Sequence, residues 1–245
     1  MSEVQAVPVN EGVAPTTSTN FWRKLAIIPQ WVITLTLPFI LLLGSVRLVM
    51  TPAFLQLEYR RPGFPEDLFG FSTEDRLKYG PYGVRYLTNN ADISYLGDLE
   101  INGEQAFHPD ELQHMEDVKV VTRAAFQILL LTGALFVMST LLLIRQPSTR
   151  PVILHGLQYG GVLTIGLILI LTAAVFINWD FFFDTFHEIF FKAGTWQFSR
   201  SDTLIRLYPE QFWFDVSLVI GGLTLGVSLL CIMIPRWWKK HSAEQ

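Results

Sequence analysis

The fold of this chain is decided by residues 154–179, LHGLQYGGVLTIGLILILTAAVFINW. The stretch contains no Asp, Glu, Lys or Arg. It is also longer than the roughly 20 apolar residues that an α-helix needs to cross a bilayer. Three further stretches are also predominantly apolar and about 20 residues long or slightly longer, so we predict a chain that spans a membrane four times. The apolar segments are 31–50, 124–144, 154–179 and 212–234.

The composition is that of a membrane protein. Half of the 245 residues are apolar and only 16% are charged, which is unusual for a soluble domain. The net charge of -4 indicates neither nucleic acid nor another anionic partner. The single cysteine, Cys231, lies inside an apolar run. An intrachain disulfide is therefore impossible, and we predict a packing role for this thiol.

Positively charged side chains indicate the orientation of the spans, because Lys and Arg are enriched in cytoplasmic loops. They cluster before the first span, between the second and third, and after the fourth: Arg23, Lys24, Arg145, Arg150, Arg236, Lys239 and Lys240. All three places fall on one side of a chain with four spans. We therefore predict cytoplasmic termini, with residues 51–123 and 180–211 outside the cell.

The outer segment 51–123 carries signals for both helix and strand. Ser72 followed by Asp75 resembles a capping box and predicts a helix of about fifteen residues. Gly80-Pro81 should break or kink that helix. Asn102-Gly103 lies between two short half-apolar runs, which predicts a type I′ β-hairpin.

The predicted fold class is a mainly α membrane protein. It has four transmembrane helices, a small extracellular α+β domain between helices 1 and 2, and an outer loop between helices 3 and 4. The predicted segments are a disordered cytoplasmic tail 1–20, transmembrane helix 21–50, extracellular domain 51–123, transmembrane helix 124–144, cytoplasmic turn 145–153, transmembrane helix 154–179, outer loop 180–211, transmembrane helix 212–235 and cytoplasmic tail 236–245.

Two histidines lie just beyond the spans on the predicted outer side. His114 comes shortly before the second span, and His187 shortly after the third. At about 1.5 Å per residue, both would stand roughly 12–15 Å above the hydrocarbon edge if their helices continue past the lipid. The short turn between the second and third spans predicts antiparallel neighbouring helices. Spacing leaves open whether the two rings face each other.

Each histidine has an acidic neighbour on its own helical face. Asp117 lies three residues after His114, and Asp184 lies three residues before His187. An imidazole among phenylalanines loses solvation, which lowers its pKa and favours the neutral base. The same pattern also occurs in structural histidines packed on aromatic rings or paired with a carboxylate.

Two other functions are compatible with these residues. The two histidines, the two aspartates and Glu188 are ligand types that zinc accepts, which would suit a metal-dependent membrane hydrolase. However, neither an H-E-x-x-H motif nor a cysteine cluster occurs in the sequence. The second alternative is a non-catalytic membrane assembly protein.

Four pieces of sequence occur in order between the spans: 71–76 (FSTEDR), 111–119 (ELQHMEDVK), 186–191 (FHEIFF) and 203–213 (TLIRLYPEQFW). With these pieces, the chain resembles the lipoprotein intramolecular transacylase family, Lit, of bacterial integral membrane proteins. The resemblance covers nearly the whole chain apart from residues 1–20. It implies an enzyme that moves one acyl chain within a diacylated lipoprotein. The chain leaves the glyceryl sn-2 ester and arrives on the α-amino group of the N-terminal cysteine.

The resemblance assigns the two functional histidines of the family to His114 and His187. The α-amino group needs a base, and the tetrahedral intermediate needs a hydrogen-bond donor. Our hypothesis is that His187 takes the proton from the amine. His114, oriented by Asp117, then assists at the oxygens, and Asp184 supports His187. The two histidines could also exchange roles.

Arg206, Trp196 and Phe191 are the predicted substrate-binding residues. For Arg206, an ion pair with Glu210 is the alternative. We expect no metal and no cofactor, because ester-to-amide transfer is downhill and needs neither nucleotide nor acyl carrier. The expected partners are a diacylated lipoprotein and membrane lipid, at the outer membrane–water interface of a bacterial cell membrane.

Overall fold

The fold is given by a computed structural model that describes residues 24–242, with side chains as far as residue 237. The predicted tail 1–20 and Arg23 lie outside the described residues, as do the side chains of Lys239 and Lys240. The described chain is mainly helical. In chain order its elements are α1 (Ile27–Val49), α2 (Pro52–Tyr59), α3 (Thr73–Thr88), α4 (Ser94–Gly97), β1 (Glu100–Ile101), β2 (Glu104–Gln105), α5 (Pro109–Arg145), a 3-10 turn (Pro147–Thr149), α6 (Arg150–Ile177), α7 (Trp179–Phe190), α8 (Thr203–Leu207) and α9 (Glu210–Ser242).

The long helices α1, α5, α6 and α9 are each apolar and long enough to cross a membrane, which confirms the four predicted spans. α5 has 37 residues, so it is about 55 Å long and exceeds the hydrocarbon core of about 30 Å. Its first turns, which carry His114, therefore lie outside the apolar stretch 124–144. We call the end of the bundle where α5 and α9 begin the loop end, and the opposite end the turn end.

Glycines bring α6 into close contact with its neighbours. A Cβ on Gly160 would lie 2.9 Å from the side chain of Leu37 and 3.0 Å from the carbonyl oxygen of Thr34, both on α1. Gly161 approaches α9 in the same way. By contrast, α5 packs chiefly on α1, and its interface with α6 is small. The second and third spans are thus weaker neighbours than predicted, because α1 and α9 already cover the glycine faces of α6.

Most buried apolar side chains lie at the loop end rather than between the long helices. Their core joins α2, α3, α4, α8 and the first turns of α5 and α9. It is centred on Leu55, Tyr86, Leu96, Phe107 and Leu207, each at most 2% exposed. We call this assembly the loop-end module. It holds the ends of three long helices in place, and one of these ends, the start of α5, carries His114.

Two local signals in the module are confirmed. The Asp75 carboxylate accepts the backbone N–H of Ser72 at 2.9 Å, and the Ser72 hydroxyl accepts that of Asp75 at 3.1 Å. This is the predicted capping box at the start of α3. β1 and β2 pair antiparallel. Asn102 and Gly103 between them have φ values of 57° and 85°, and a type I′ turn requires positive φ at both positions.

The predicted break at Gly80-Pro81 does not occur, and α3 continues through both residues. Tertiary contacts support the helix there. The hydroxyl of Tyr208 donates to the carbonyl of Gly80. Tyr59 and Tyr208 also lie so close to Gly80 and Gly83 that neither glycine has room for a Cβ. The glycines that weaken the helix in isolation therefore let two tyrosines pack against it.

His187 does not lie on a continuation of the third span. α6 ends at Ile177, Asn178 is extended, and α7 begins as a separate helix at Trp179. The Asn178 side chain accepts the N–H of Phe181 at 3.0 Å, as a helix N-cap does. The assumption of a continuous helix is thus corrected, because this cap starts a new helix with a new direction.

Candidate active site

His114 and His187 converge at the loop end. Their ring centroids are 6.3 Å apart and their planes are inclined by 26°. His114 is 8% exposed, and His187 is half-buried. Two imidazoles from separate helices thus lie within reach of a single bound group, which answers the question that spacing left open.

A buried glutamate fixes the start of the helix that carries His114. Glu111 accepts the N–H of His108 through Oε2 and the N–H of Leu204 through Oε1, both at 2.7 Å. The second bond ties α5 to the start of α8. Burial raises the pKa of Glu111, and the two backbone bonds oppose that rise. Glu111 is not among the site residues predicted from the sequence. Its place three residues after the N-cap was the signal that could have revealed the bond to His108.

A hydrogen bond determines the tautomer of His187. Its Nδ1 lies 2.7 Å from the carbonyl oxygen of Phe183. A carbonyl can only accept, so Nδ1 carries the proton and the neutral ring has its lone pair on Nε2. Burial lowers the pKa of His187, and the bond to Phe183 and the charge of Asp184 only partly oppose this. His187 is therefore an uncharged base at neutral pH.

His114 is also uncharged at neutral pH. Burial and, to a lesser extent, the nearby His187 lower its pKa to about 4, although the charge of Asp117 opposes the shift. Its Nδ1 is buried and has no hydrogen-bond partner among the described residues. A neutral imidazole has one N–H and one lone pair. Because no described residue bonds Nδ1, the described chain leaves the tautomer open and a bound group can select it.

Aromatic rings enclose the pair. Phe191, which follows α7 directly, has its centroid 4.9 Å from that of His114 and 5.7 Å from that of His187. The ring centroids of Phe183 and Trp196 lie 4.1 and 4.7 Å from that of His187. These apolar walls remove water from the imidazoles, which is the physical cause of their lowered pKa values.

A turn brings the chain back from α7 to the histidines. Gly194 has a φ of 82°, a left-handed conformation that glycine adopts without strain. Beyond it, Trp196 lies on His187, and Phe198 lies 5.3 Å from His114. The Nε1 of Trp196 is buried without a partner in the described chain, like the Nδ1 of His114. Unpaired buried polar atoms are rare and often mark a functional site.

The carboxylates predicted to support the histidines make no hydrogen bond to them. Asp117 accepts from Gln113 at 3.5 Å and acts on His114 through its charge alone. Asp184 is exposed on α7 and acts on His187 in the same way. The expectation that Asp117 orients His114 by direct contact is therefore corrected. The backbone of α7 orients His187 instead.

The side chains suggested as zinc ligands are not assembled around the histidines. Among the side chains that the structure describes, residues 24–237, no three His, Cys, Asp or Glu have the arrangement of a metal site. Zinc takes three or four protein ligands, and the histidine pair supplies two.

Arg206 is bound within the loop-end module. Its Nη2 lies 3.0 Å from Asp67 Oδ2 and donates to the carbonyl of Phe69 at 2.9 Å. The guanidinium also lies 3.5 Å from the ring centroid of Phe71. The suggested ion pair with Glu210 is therefore wrong, because α8 directs this side chain towards the segment 67–71.

Comparison with known proteins identifies the family. The family model described as lipoprotein intramolecular transacylase Lit matches residues 31–213. The chain belongs to the Lit family. The matched range includes both histidines, Glu111 and Trp196. A protein of Aquifex aeolicus (strain VF5), described as uncharacterized, is 30% identical over 210 residues, which are 85% of this chain and 94% of that protein.

Solved structures of Lit share the fold. The in meso structure of the membrane integral lipoprotein intramolecular transacylase Lit from Bacillus cereus has a TM-score of 0.72 at 18% identity, covering 91% of this chain and 99% of that chain. The structure of a variant of that protein, with one histidine replaced by alanine, has a TM-score of 0.69 at 18% identity. It covers 93% of this chain and 100% of that chain. The chain is thus a membrane protein with the Lit fold, from a family of acyltransferases that act on lipoproteins.

Proposed function

We propose that this Lit-family protein moves the sn-2 acyl chain of a diacylglyceryl-modified lipoprotein to the α-amino group of its N-terminal cysteine. The observation that carries the proposal is a pair of uncharged imidazoles 6.3 Å apart, one of them with a defined tautomer. Ester and amine belong to one substrate molecule, so holding them together supplies much of the rate. The amide is more stable than the ester, and the transfer therefore needs neither nucleotide nor acyl carrier.

His187 is the general base in this proposal. An α-amino group has a pKa of about 7.7–8.0, so roughly one tenth is neutral at pH 7 and can attack the ester carbonyl. As the C–N bond forms, the nitrogen loses a proton to Nε2 of His187, because Nδ1 is bound to the Phe183 carbonyl. That proton passes to the sn-2 oxygen as the C–O bond breaks. The products are the N-acylated, lyso-form lipoprotein and the unchanged enzyme.

His114 and Trp196 stabilise the negative oxygen of the tetrahedral intermediate. The neutral His114 ring has one N–H to donate, and the indole N–H of Trp196 is a buried donor without a partner in the described chain. One preorganised donor of this kind contributes about 3 kcal/mol to the transition state. The hydrogen bond that defines the tautomer of His187 favours His187 as the base and His114 as the donor over the reverse assignment.

The substrate would be bound by aromatic contact. Phe191 touches both histidines, and with Trp196 it offers an apolar wall to the acyl chain. Arg206 acts indirectly, by holding α8 in the loop-end module, because its guanidinium is engaged with Asp67 and Phe69.

The loop end faces the outside of the cytoplasmic membrane in this proposal. The turn end carries the positive side chains that mark cytoplasmic loops. Within the described chain these are Lys24, Arg145, Arg150 and Arg236. The histidine pair then lies at the outer membrane–water interface, where the lipid-modified cysteine of a lipoprotein is also found.

The test is mass spectrometry of N-terminal lipopeptides from cells that lack a Lit enzyme and express each variant. We expect His187→Ala and His114→Ala each to lower conversion to the lyso form by about 100-fold or more, since general base and oxyanion donor contribute at least that much. His155→Ala at the turn end is the matched control and should retain conversion. Full conversion by either active-site variant would refute the two-histidine mechanism. Release of free fatty acid without N-acylation would indicate a hydrolase.

A further inference from the structure

α7 is an amphipathic helix with His187 at the edge of its polar face. Successive residues are rotated by about 100° around a helix axis. One side of α7 therefore collects Trp179, Phe182, Phe183, Phe186, Ile189 and Phe190, whereas Asp180, Asp184 and Glu188 lie on the other side together with Phe181. His187 is placed between Phe183 and the acidic residues.

Much of the apolar side of α7 has no partner in the described chain. None of its residues is fully buried. Phe186 is 45% exposed, Ile189 70% and Phe190 48%. These three residues form what we call the open face of α7. A contiguous exposed apolar surface of this kind marks a contact with a partner or with a membrane.

The position of α7 identifies the partner as lipid. The helix begins directly after Asn178, at the loop end of the membrane span α6. Its first residue, Trp179, packs on Phe214 in the first turns of α9, with 5.4 Å between the ring centroids. Tryptophan at the end of a span is typical of the membrane interface. The helix therefore starts at the level where the spans leave the hydrocarbon layer.

We propose that the open face of α7 is buried in the bilayer leaflet at the loop end, so that α7 lies along the boundary of acyl chains and headgroups. The polar face carries Asp180, Asp184 and Glu188 and no Lys or Arg. Insertion is therefore driven by burial of apolar area, with no requirement for anionic lipid. This placement holds His187 at headgroup depth.

The consequence of this placement for catalysis rests on the proposed function. A lipoprotein anchored in the same leaflet presents its ester to His187 without leaving the bilayer.

Spin labelling of the full chain in liposomes tests this placement. The sole native cysteine is first removed as Cys231→Ser. A nitroxide is then attached at Ile189→Cys on the open face, or at Asp184→Cys on the polar face as the matched control. In zwitterionic phosphatidylcholine, we expect the ratio of oxygen to nickel-chelate collision rates to be several-fold higher at position 189 than at position 184. Thermal unfolding in detergent verifies that each labelled variant is folded.

Two results would overturn the proposal. One is an equal ratio at both positions, which would place the open face in water. The other is spin–spin broadening at position 189 that disappears on dilution with unlabelled protein, which would assign the face to a second copy of the chain. The measurement involves no substrate, so either failure leaves the histidine mechanism standing.

Discussion

At the scale of single residues, burial shifts the two kinds of ionisable group at the site in opposite directions. It lowers the pKa of His114 and of His187, whereas it raises that of Glu111. In each case burial disfavours the charged form. The imidazoles are therefore kept as neutral bases and donors, and the Glu111 carboxyl is compensated by two backbone N–H groups.

The lowered pKa of His114 predicts an acid-sensitive fold. In the unfolded chain a histidine takes up its proton near pH 6.5, whereas folded His114 does so only at about 4. Between these values the unfolded state binds more protons, so stability falls as the pH is lowered. The upper limit of this loss is about 3 kcal/mol. We expect Tm in detergent to fall between pH 7.5 and 5, and to fall less in His114→Phe. An identical slope in both proteins would contradict the assignment.

At the scale of elements, α3 and α7 owe their conformations to different contacts. α3 passes through Gly80-Pro81 because two tyrosines pack where a Cβ would otherwise stand. α7 departs from α6 because the Asn178 side chain caps a new helix. The conformation of α3 thus depends on residues distant in sequence, whereas that of α7 depends on a residue directly at the break.

Gly83→Ala should test the close packing on α3. A Cβ at Gly83 would collide with the hydroxyl of Tyr208, so we expect a loss of about 1–3 kcal/mol and a lower Tm in detergent. Gly133→Ala on α5 is the matched control, because a Cβ there meets nothing within 4 Å and alanine favours helix. An equal Tm in the two variants would show that the contact between Gly83 and Tyr208 is loose.

At the scale of the whole molecule, the loop-end module connects the membrane spans to the helix start that carries His114. The Tyr59 hydroxyl donates to the Leu207 carbonyl at 2.9 Å, and buried Arg76 donates to the Arg206 carbonyl at 2.8 Å. Glu111 binds the other end of α8. The first two bonds hold α8 against α2 and α3, and the third holds it against the start of α5, the helix that carries His114.

The ion pair between Arg206 and Asp67 should be a main support of this module. Asp67 is 4% and Arg206 16% exposed in their side chains, so removing either partner leaves a poorly solvated charge. We expect Arg206→Ala and Asp67→Ala each to lower stability by about 3 kcal/mol. The double variant should lose less than the sum. Exposed Arg60→Ala serves as control and should stay within about 0.5 kcal/mol of the parent. Additive losses in the double variant would disprove the coupling.

The sequence by itself determined the features that depend on composition or on neighbours a few residues apart. These are the four membrane helices, the capping box at Ser72, the hairpin at Asn102-Gly103 and, through the family's motifs, the candidate histidines His114 and His187. Each rests on a local pattern of hydrophobicity, hydrogen bonding or backbone preference, which is present in the chain before it folds.

Only the tertiary structure decided which side chains meet. The bond from Glu111 to Leu204 joins residues 93 positions apart, and that from Arg206 to Asp67 joins residues 139 apart. No periodicity encodes such pairs, so Glu210 and Asp117 were assigned contacts that the fold does not make. The convergence of His114 and His187 was decided in the same way. It depends on the break at Asn178 and on the packing of the loop-end module, which together set the path of the chain between them.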